Sequence, residues 1–389
     1  MIYLDNAATT RMDPRVLEAM MPYMDGEYGN PGSLHAAGRR ARQAVEEARE
    51  KLAAFLQCAP KQVVFTSGGT EGNNMVMHHF AYLARQSDWH MSLLTSGMEH
   101  DSIELTAAQL NIGRLWVPNL IDPDGSVNAD VLCGISPRDM AMCSVQGVNN
   151  ETGAVHPVAD IGAYCRENGI LFHTDCVQAA GFFDISVEDI GCDFATVSSH
   201  KIHGPKGVGA LFIREPKSFH PLIIGGEEQE FELRGGTENV AGIVGFGKAA
   251  ELAMEEMEGI HEALTRMKSV FYMGLLSALS RMDLPTGMVH INGPYLRTPG
   301  RILNLRVDGV DGESLVLAMD AAGVCISAGS ACRSHSVEPS RTLKAMGLTD
   351  AEARQSVRIS FSRMNTISEV YDASQIMADK IGLLTGGVR

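Results

Sequence analysis

Two side chains of this 389-residue sequence, Lys201 and Asp175, have settings suited to covalent and proton-transfer chemistry. Lys201 lies in Ser198-Ser199-His200-Lys201-Ile202-His203-Gly204-Pro205-Lys206-Gly207, directly after a strand pattern ending at Val197. An amine at a strand's end, beside hydroxyl and imidazole groups, can form a Schiff base when its setting lowers its pKa. Asp175, 26 residues earlier, stands at the exit of Ile170-Leu171-Phe172-His173. A carboxylate there is costly to bury without a cationic or N–H partner, and a protonated pyridine nitrogen is such a partner. Schiff-base lysine plus pyridinium acid is the protein-side signature of pyridoxal phosphate. Taken singly, Lys201 reads as a solvated loop charge; the pairing with Asp175 favours chemistry.

Thr66-Ser67-Gly68-Gly69-Thr70-Glu71-Gly72-Asn73-Asn74 follows a strand pattern and opens a helix. Its glycines and first-turn N–H groups suit a phosphate, with a tight turn capped by Thr70 as the plainer alternative. G-x-x-x-x-G-K-[ST] is absent and no G-x-G-x-x-G follows the first strand, which argues against nucleotide and dinucleotide sites. His100 follows another strand pattern, where it can stack on a ring and exchange protons near neutral pH, or simply cap a helix. Arg358, inside an apolar strand pattern, calls for a carboxylate from a ligand or from an internal salt bridge.

Cys332 sits in Ser327-Ala328-Gly329-Ser330-Ala331-Cys332-Arg333-Ser334-His335-Ser336, small and polar, with no period of its own. The adjacent Arg333 and His335 favour an exposed, partly thiolate sulfur, which nucleophilic sulfur chemistry needs. Cys325, between Val324 and Ile326, is expected to be buried. None of the eight cysteines shows C-x-x-C spacing, so they read as reduced thiols, most of them small buried hydrophobes.

The elements that must position these groups alternate. Strand patterns at Gln62–Thr66, Ser92–Thr95, Met140–Ser144, Ile170–His173, Phe194–Val197 and Gly209–Ile213 are separated by helical ones, clearest in the stripe Ala41, Val45, Ala48, Leu52 and Phe55. This predicts an α/β fold with a mainly parallel sheet flanked by helices, whose ligands sit at the carboxyl ends of the strands. From Met257 a long helix is expected, stopped by Asp283-Leu284-Pro285. Strand patterns at Arg301–Val307 and Ser356–Phe361, a helix around Glu313–Ala322 and a last one from Ile367 to Leu384 follow. The expected division is a large domain, residues 15–256, and a smaller α+β domain of residues 1–14 and 257–389 carrying the cysteine loop at about 326–338.

Composition narrows the function classes. The formal charge of −15 opposes non-specific binding to phosphate backbones, so DNA is not an expected partner, although a local basic patch can still accept RNA. No apolar run approaches the roughly 20 residues of a membrane span, and the first residues lack a secretory pattern, so a soluble, cytoplasmic protein is expected.

The chain resembles NifS/IscS-type cysteine desulfurases, of the class V aminotransferase group of fold type I pyridoxal-phosphate enzymes. The resemblance runs from Tyr3-Leu4-Asp5-Asn6-Ala7-Ala8-Thr9-Thr10 through Gly29-Asn30-Pro31, Phe65-Thr66-Ser67-Gly68-Gly69-Thr70-Glu71 and Val148-Asn149-Asn150-Glu151-Thr152-Gly153. It continues in Ser199-His200-Lys201, Gly329-Ser330-Ala331-Cys332 and Glu338-Pro339-Ser340. It implies a seven-stranded sheet, and a reaction that converts L-cysteine to L-alanine with sulfur held as a persulfide on Cys332. It further implies Lys201 as the Schiff-base lysine, Asp175 at the pyridine nitrogen, Gln178 at the phenolic oxygen and His100 stacked on the ring. Gly69, Thr70, Ser198 and His200 would hold the phosphate, joined by Thr237 from a second subunit of a homodimer. Asn150 and Arg358 would bind the cofactor edge and the substrate carboxylate. Partners implied are L-cysteine and a sulfur acceptor, either an iron–sulfur scaffold or a tRNA-thiolation enzyme; no metal is implied. Departures are Arg333 after the cysteine, His203 for a common Tyr, and Cys176 for a common Ala. Selenocysteine lyase, or another lyase or aminotransferase of the same fold, is the alternative reaction, and a non-catalytic scaffold the alternative class.

Overall fold

A computed structural model describes residues 1–87, 92–226, 229–294, 300–329 and 339–386. In chain order the strands are β1 (Ile2–Tyr3), β2 (Val63–Thr66), β3 (Ser92–Thr95), β4 (Gly113–Leu115), β5 (Met142–Ser144) and β6 (Leu171–Asp175). They continue as β7 (Phe194–Ser198), β8 (Gly209–Ile213), β9 (Val289–Ile291), β10 (Ile302–Val307), β11 (Val324–Cys325) and β12 (Ser356–Ser360). Seven of them make the central sheet in the order β2-β8-β7-β6-β5-β3-β4. Strands β3 to β7 pair in parallel, and β8 runs antiparallel between β7 and β2. The six strand patterns of the sequence are all present. The short edge strand β4 escaped them because its three residues, Gly113-Arg114-Leu115, are exposed or half-buried and carry no apolar run.

Helices cover both faces of this sheet, which is why β7 and β8 are buried along their whole length. The stripe Ala41, Val45, Ala48, Leu52 and Phe55 is buried on the helix Ala36–Leu56. Arg49, on the same helix, is buried too. Its guanidinium donates to Val63 O (2.7 Å) and pairs with Glu230 (2.8 Å), whose Oε2 accepts the N–H of Phe65 at 2.7 Å. Strand β2 is a sheet edge, so this ion pair occupies backbone groups that would otherwise be free to template another strand. Removing Glu230 leaves the buried Arg49 guanidinium with the partly exposed Glu46 (3.1 Å) in place of its buried counter-charge. We expect Glu230→Ala to lower stability by about 3–5 kcal/mol, read by urea unfolding; a loss below about 1 kcal/mol would show that the edge is held by other contacts.

A second apolar core gathers Leu4, Leu264, Phe271, Leu275, Leu305, Ile359 and Met377. It is built on the antiparallel sheet β12-β10-β9 and the helices Ile260–Arg281 and Ile367–Leu384. The first of these helices ends at Arg281, and Asp283 takes a left-handed conformation (φ 59°) just before Pro285. The second is set by a reciprocal cap between Thr366 and Glu369. The N-terminus belongs to this layer: β1 pairs with β11, and Ser360 N donates to Leu4 O (2.7 Å). Cys325 is half-buried rather than buried, because β11 has only two residues and pairs with the equally short β1. Cys143, Cys165, Cys176 and Cys192 are buried, and Cys58 and Cys133 partly so. No helix among the described residues is long and apolar enough to cross a membrane.

Candidate active site

The carboxyl ends of β5, β6 and β7 open into one cavity of about 290 Å³. Lys201, Asp175, Gln178, Ser198 and His200 line it, Asp175 and Ser198 as the last residues of β6 and β7 and the others on the turns that follow. His100, Gly69, Thr70, Asn150 and Arg358 complete its wall from four other segments. Ten of the twelve residues picked out from the sequence therefore meet at one place. Thr237 is exposed and stands outside the cavity of its own chain. Cys332 lies outside the described residues.

Lys201 ends a short turn, Ser199–Lys201, that follows β7 without a break. Its Nζ donates to Ala7 O (2.6 Å) and Ala8 O (2.9 Å), so the amine points at the N-terminal segment across the cavity rather than into bulk solvent. That segment is stapled to the lysine's own turn. Thr10 donates to His200 O through N and Oγ1 (both 2.9 Å), and Thr9 Oγ1 meets His200 Nδ1 at 3.1 Å. Arg301 Nη2 donates to Asn6 O (3.0 Å) and Lys201 O (3.3 Å), tying the same two segments from below. Burial, together with Lys201, Lys206 and Arg301, pushes His200 down to about 4, so its imidazole is neutral at pH 7.

Asp175 ends β6 and is 7% exposed. Its Oδ1 accepts Val177 N (2.9 Å) and its Oδ2 accepts Asn73 Nδ2 (2.7 Å), yet among the described residues no cationic side chain pairs with it. Asn73 Nδ2 also donates to Ser102 Oγ (2.9 Å), which meets His100 Nδ1 at 2.7 Å. His100 Nδ1 accepts the N–H of Ser102 (3.1 Å) and so caps the helix Asp101–Gln109. Because Nδ1 is an acceptor, the neutral imidazole carries its proton on Nε2, an assignment made from the bonding network. His100 is thus both the helix cap of the plainer reading and a wall of the cavity.

The phosphate-suited turn forms as the sequence indicates. The helix Gly69–Gln86 begins at Gly68, which offers no side-chain cap, so first-turn N–H groups are left for a ligand. A Cβ on Gly69 would stand 2.8 Å from Val177 Cγ2, so only glycine lets the helix come this close to the turn after β6. Ser198 Oγ and Gln178 Oε1 are buried without a partner among the described residues, as is Arg358 Nε. Arg358 does have an internal carboxylate: Nη2 pairs with Asp5 (2.8 Å) and Nη1 donates to Asn150 O (2.8 Å), leaving Nε uncommitted.

Asn73, Glu99, Gln146 and Glu151 are among the wall residues that sequence reasoning did not assign a role. Asn73 was visible only as part of a glycine-rich turn, and Glu99 only as the neighbour of His100. Gln146 and Glu151 lie on the loop after β5, which no periodicity marks. Glu99 is buried, with Oε1 accepting Ser96 Oγ (2.6 Å). Burial pushes its carboxyl from 4.5 to about 8, and the Asp175 charge adds to the rise. Between those values the folded chain keeps a proton that the unfolded chain has released. Stability therefore falls as pH rises, by up to about 1.4 kcal/mol per pH unit. We expect Glu99→Gln to gain on the parent between pH 5 and 8 in urea unfolding of the cofactor-free protein. A constant difference between the two across that window would mean that Glu99 is ionised in the fold.

The model for aminotransferase class-V matches residues 2–372. The chain belongs to the aminotransferase class-V family. Among relatives of this class V chain, the cysteine desulfurase of Trichormus azollae is 38% identical over 379 residues, covering 97% of the chain and 92% of that relative. Among solved structures, a NifS-like protein superposes with a TM-score of 0.87 at 32% identity, covering 98% of this chain and 99% of that one. The structure titled "SspA in complex with cysteine" has a TM-score of 0.75 at 30% identity, over 93% and 99% of the two chains. The class V fold places the cavity at the carboxyl ends of the parallel strands, where a twisted α/β sheet binds its ligands.

Proposed function

We propose that this chain is a pyridoxal-phosphate-dependent cysteine desulfurase, which takes sulfur from L-cysteine, releases L-alanine and holds the sulfur as a persulfide on Cys332. One observation carries the reading: Asp175, a buried carboxylate with no cationic side chain paired to it among the described residues, lines the same cavity as the amine of Lys201. A protonated pyridine nitrogen supplies the missing cation. The cysteine desulfurase name of the Trichormus azollae relative and the cysteine complex of SspA support the substrate.

The residues present fit the cofactor. Lys201 would hold it covalently through Nζ, Asp175 its ring nitrogen, and Gln178 its phenolic oxygen. Ser198, His200 and the N–H groups of Gly69 and Thr70 would hold its phosphate. Bound there, pyridoxal phosphate supplies a carbonyl that condenses with amines and a ring that takes up the electrons left when a bond at Cα breaks. The chain does the rest. Arg358 Nε, uncommitted inside the fold, binds the carboxylate of the incoming amino acid beside Asn150. Lys201 Nζ takes the proton from Cα. His100, with its proton on Nε2, would form the wall against which the ring lies. Cys332 Sγ bonds to the substrate sulfur as the Cβ–S bond breaks; the electron pair stays on carbon, which is protonated to give alanine.

The large unit, residues 15–256, would carry the cofactor, and the unit formed by residues 1–14 and 257–389 would carry the cysteine segment. A homodimer belongs to this reading, in which Thr237, exposed and outside its own cavity, would complete the phosphate site of a neighbour. The acceptor is an iron–sulfur scaffold or a tRNA-thiolation enzyme in the cytoplasm. The test is to incubate purified protein with L-cysteine and a thiol reductant and to quantify alanine and sulfide. Equal amounts of both, from protein with a borohydride-reducible absorption band on Lys201, are expected. No such band would reject every cofactor-dependent reading, and selenocysteine turnover without cysteine turnover would reject the desulfurase.

A further inference from the structure

Glu151 follows Asn150 on the loop after β5 and is 7% exposed, in the cavity wall. Its backbone is fixed on both sides: Glu151 N donates to Asn149 Oδ1 (2.9 Å), and Glu151 O accepts Asn304 Nδ2 from β10 (3.2 Å). A carboxylate set this firmly in the wall has two neighbours from the far end of the chain. Ser340 Oγ donates to Glu151 Oε2 at 2.5 Å, and the same hydroxyl accepts Leu343 N (3.2 Å), capping the short helix Arg341–Ala345. Gly329 approaches from the other side, with the position a Cβ would take 3.6 Å from the same Oε2.

Gly329 is the last described residue before the stretch that carries Cys332, and Ser340 is the second described residue after it. On the N-terminal side the chain is fixed to the site by Ser327, which exchanges backbone hydrogen bonds with Arg358 (2.7 and 3.1 Å). On the C-terminal side Arg341 pairs with Asp101, the residue after His100. Each stem is thus tied to a residue of the cavity wall, and Glu151 Oε2 meets one residue of each stem, Ser340 and Gly329.

We propose that Glu151 is a positioning residue for sulfur transfer: its carboxylate holds Ser340 and abuts Gly329, fixing where both stems of the Cys332 segment leave the site. The inference rests on the desulfurase reading, with Cys332 as the persulfide-bearing sulfur. Glu151 acts after the amino acid is bound. Its loss should therefore leave cofactor occupancy and cysteine binding alone and slow the step that needs Cys332. The geometry also separates charge from shape, since a glutamine at this position keeps an oxygen that can accept the Ser340 hydroxyl.

The experiment uses the cofactor-loaded protein and four variants: Glu151→Ala, Glu151→Gln, Ser340→Ala and the double variant Glu151→Ala/Ser340→Ala. Readouts are the pyridoxal absorption band, the KM for L-cysteine, and the single-turnover rate of persulfide formation on Cys332, trapped by alkylation and located by mass spectrometry. We expect persulfide formation to slow about tenfold or more in Glu151→Ala, with occupancy and KM unchanged. Glu151→Gln should restore most of the rate, and the double variant should be no slower than Glu151→Ala. Ser340→Ala, at a half-buried position, gives the same answer should Glu151→Ala fold poorly. Parent-like persulfide formation in Ser340→Ala and Glu151→Ala would overturn the proposal, and so would a rise in KM that matches the loss in rate. Persulfide found on a cysteine other than Cys332 in the parent would instead sink the desulfurase assignment on which it rests.

Discussion

Lys201→Ala is expected to lose the borohydride-trapped adduct altogether and to release alanine from L-cysteine at least about a thousandfold more slowly than the parent, since a positioned acid or base contributes roughly 10²–10⁴-fold and this residue is also the covalent anchor. The side chain's surroundings give the prediction its force. Its Nζ donates to the backbone carbonyls Ala7 O and Ala8 O, and the N-terminal segment bearing them is stapled to the turn that holds the lysine. No other lysine lines the cavity among the described residues. Folding should be little affected, because the staple runs through Thr9, Thr10 and Arg301 rather than through Nζ. The checks are alanine release by amino-acid analysis and mass mapping of the reduced adduct. Residual activity above about a tenth of the parent's would mean that another group removes the Cα proton.

Cys332→Ala should separate the two halves of the reaction. The variant is expected to bind pyridoxal phosphate and L-cysteine with the parent's spectra, because it keeps Lys201, Asp175, Gln178 and Ser198 in the cavity wall. Alanine formation should fall on the order of a thousandfold or more, as when a covalent nucleophile is removed. No persulfide should be trapped by alkylation. Most other cysteines are poor substitutes. Cys143, Cys165, Cys176 and Cys192 are buried, and burial pushes Cys58 up to about 11 and Cys176 up to about 12, away from the thiolate that nucleophilic attack needs. Full alanine production by Cys332→Ala would assign the nucleophile elsewhere and would place the protein among lyases that do not pass sulfur through an enzyme cysteine.

The order of strands and helices was legible in the letters because a sheet buried on both faces demands continuous apolar runs and its helices demand one apolar stripe. β8, Gly209-Ala210-Leu211-Phe212-Ile213, is such a run, and Ala41 to Phe55 is such a stripe. Asp175 stood out because a carboxylate at the exit of a buried strand has to be compensated, and Lys201 because its amine follows a strand beside hydroxyl and imidazole groups. The exposed strand β4 and the half-buried Cys325 were misread or missed where local pattern is weak and pairing with a distant edge decides the outcome.

What the sequence by itself determined is the chemistry available: an amine, an acid, a phosphate-suited turn and the family whose motifs carry them in order. Only the tertiary structure decided which groups share a wall. Asn73 reaches Asp175 across 102 residues of chain, and Arg358 reaches Asp5 across 353. Glu99 is driven toward its neutral form by burial that no local window reveals. The physical reason is that charge state and hydrogen-bond partnership depend on distance and dielectric in space, whereas residue spacing along the chain reports only the period of the element to which a residue belongs.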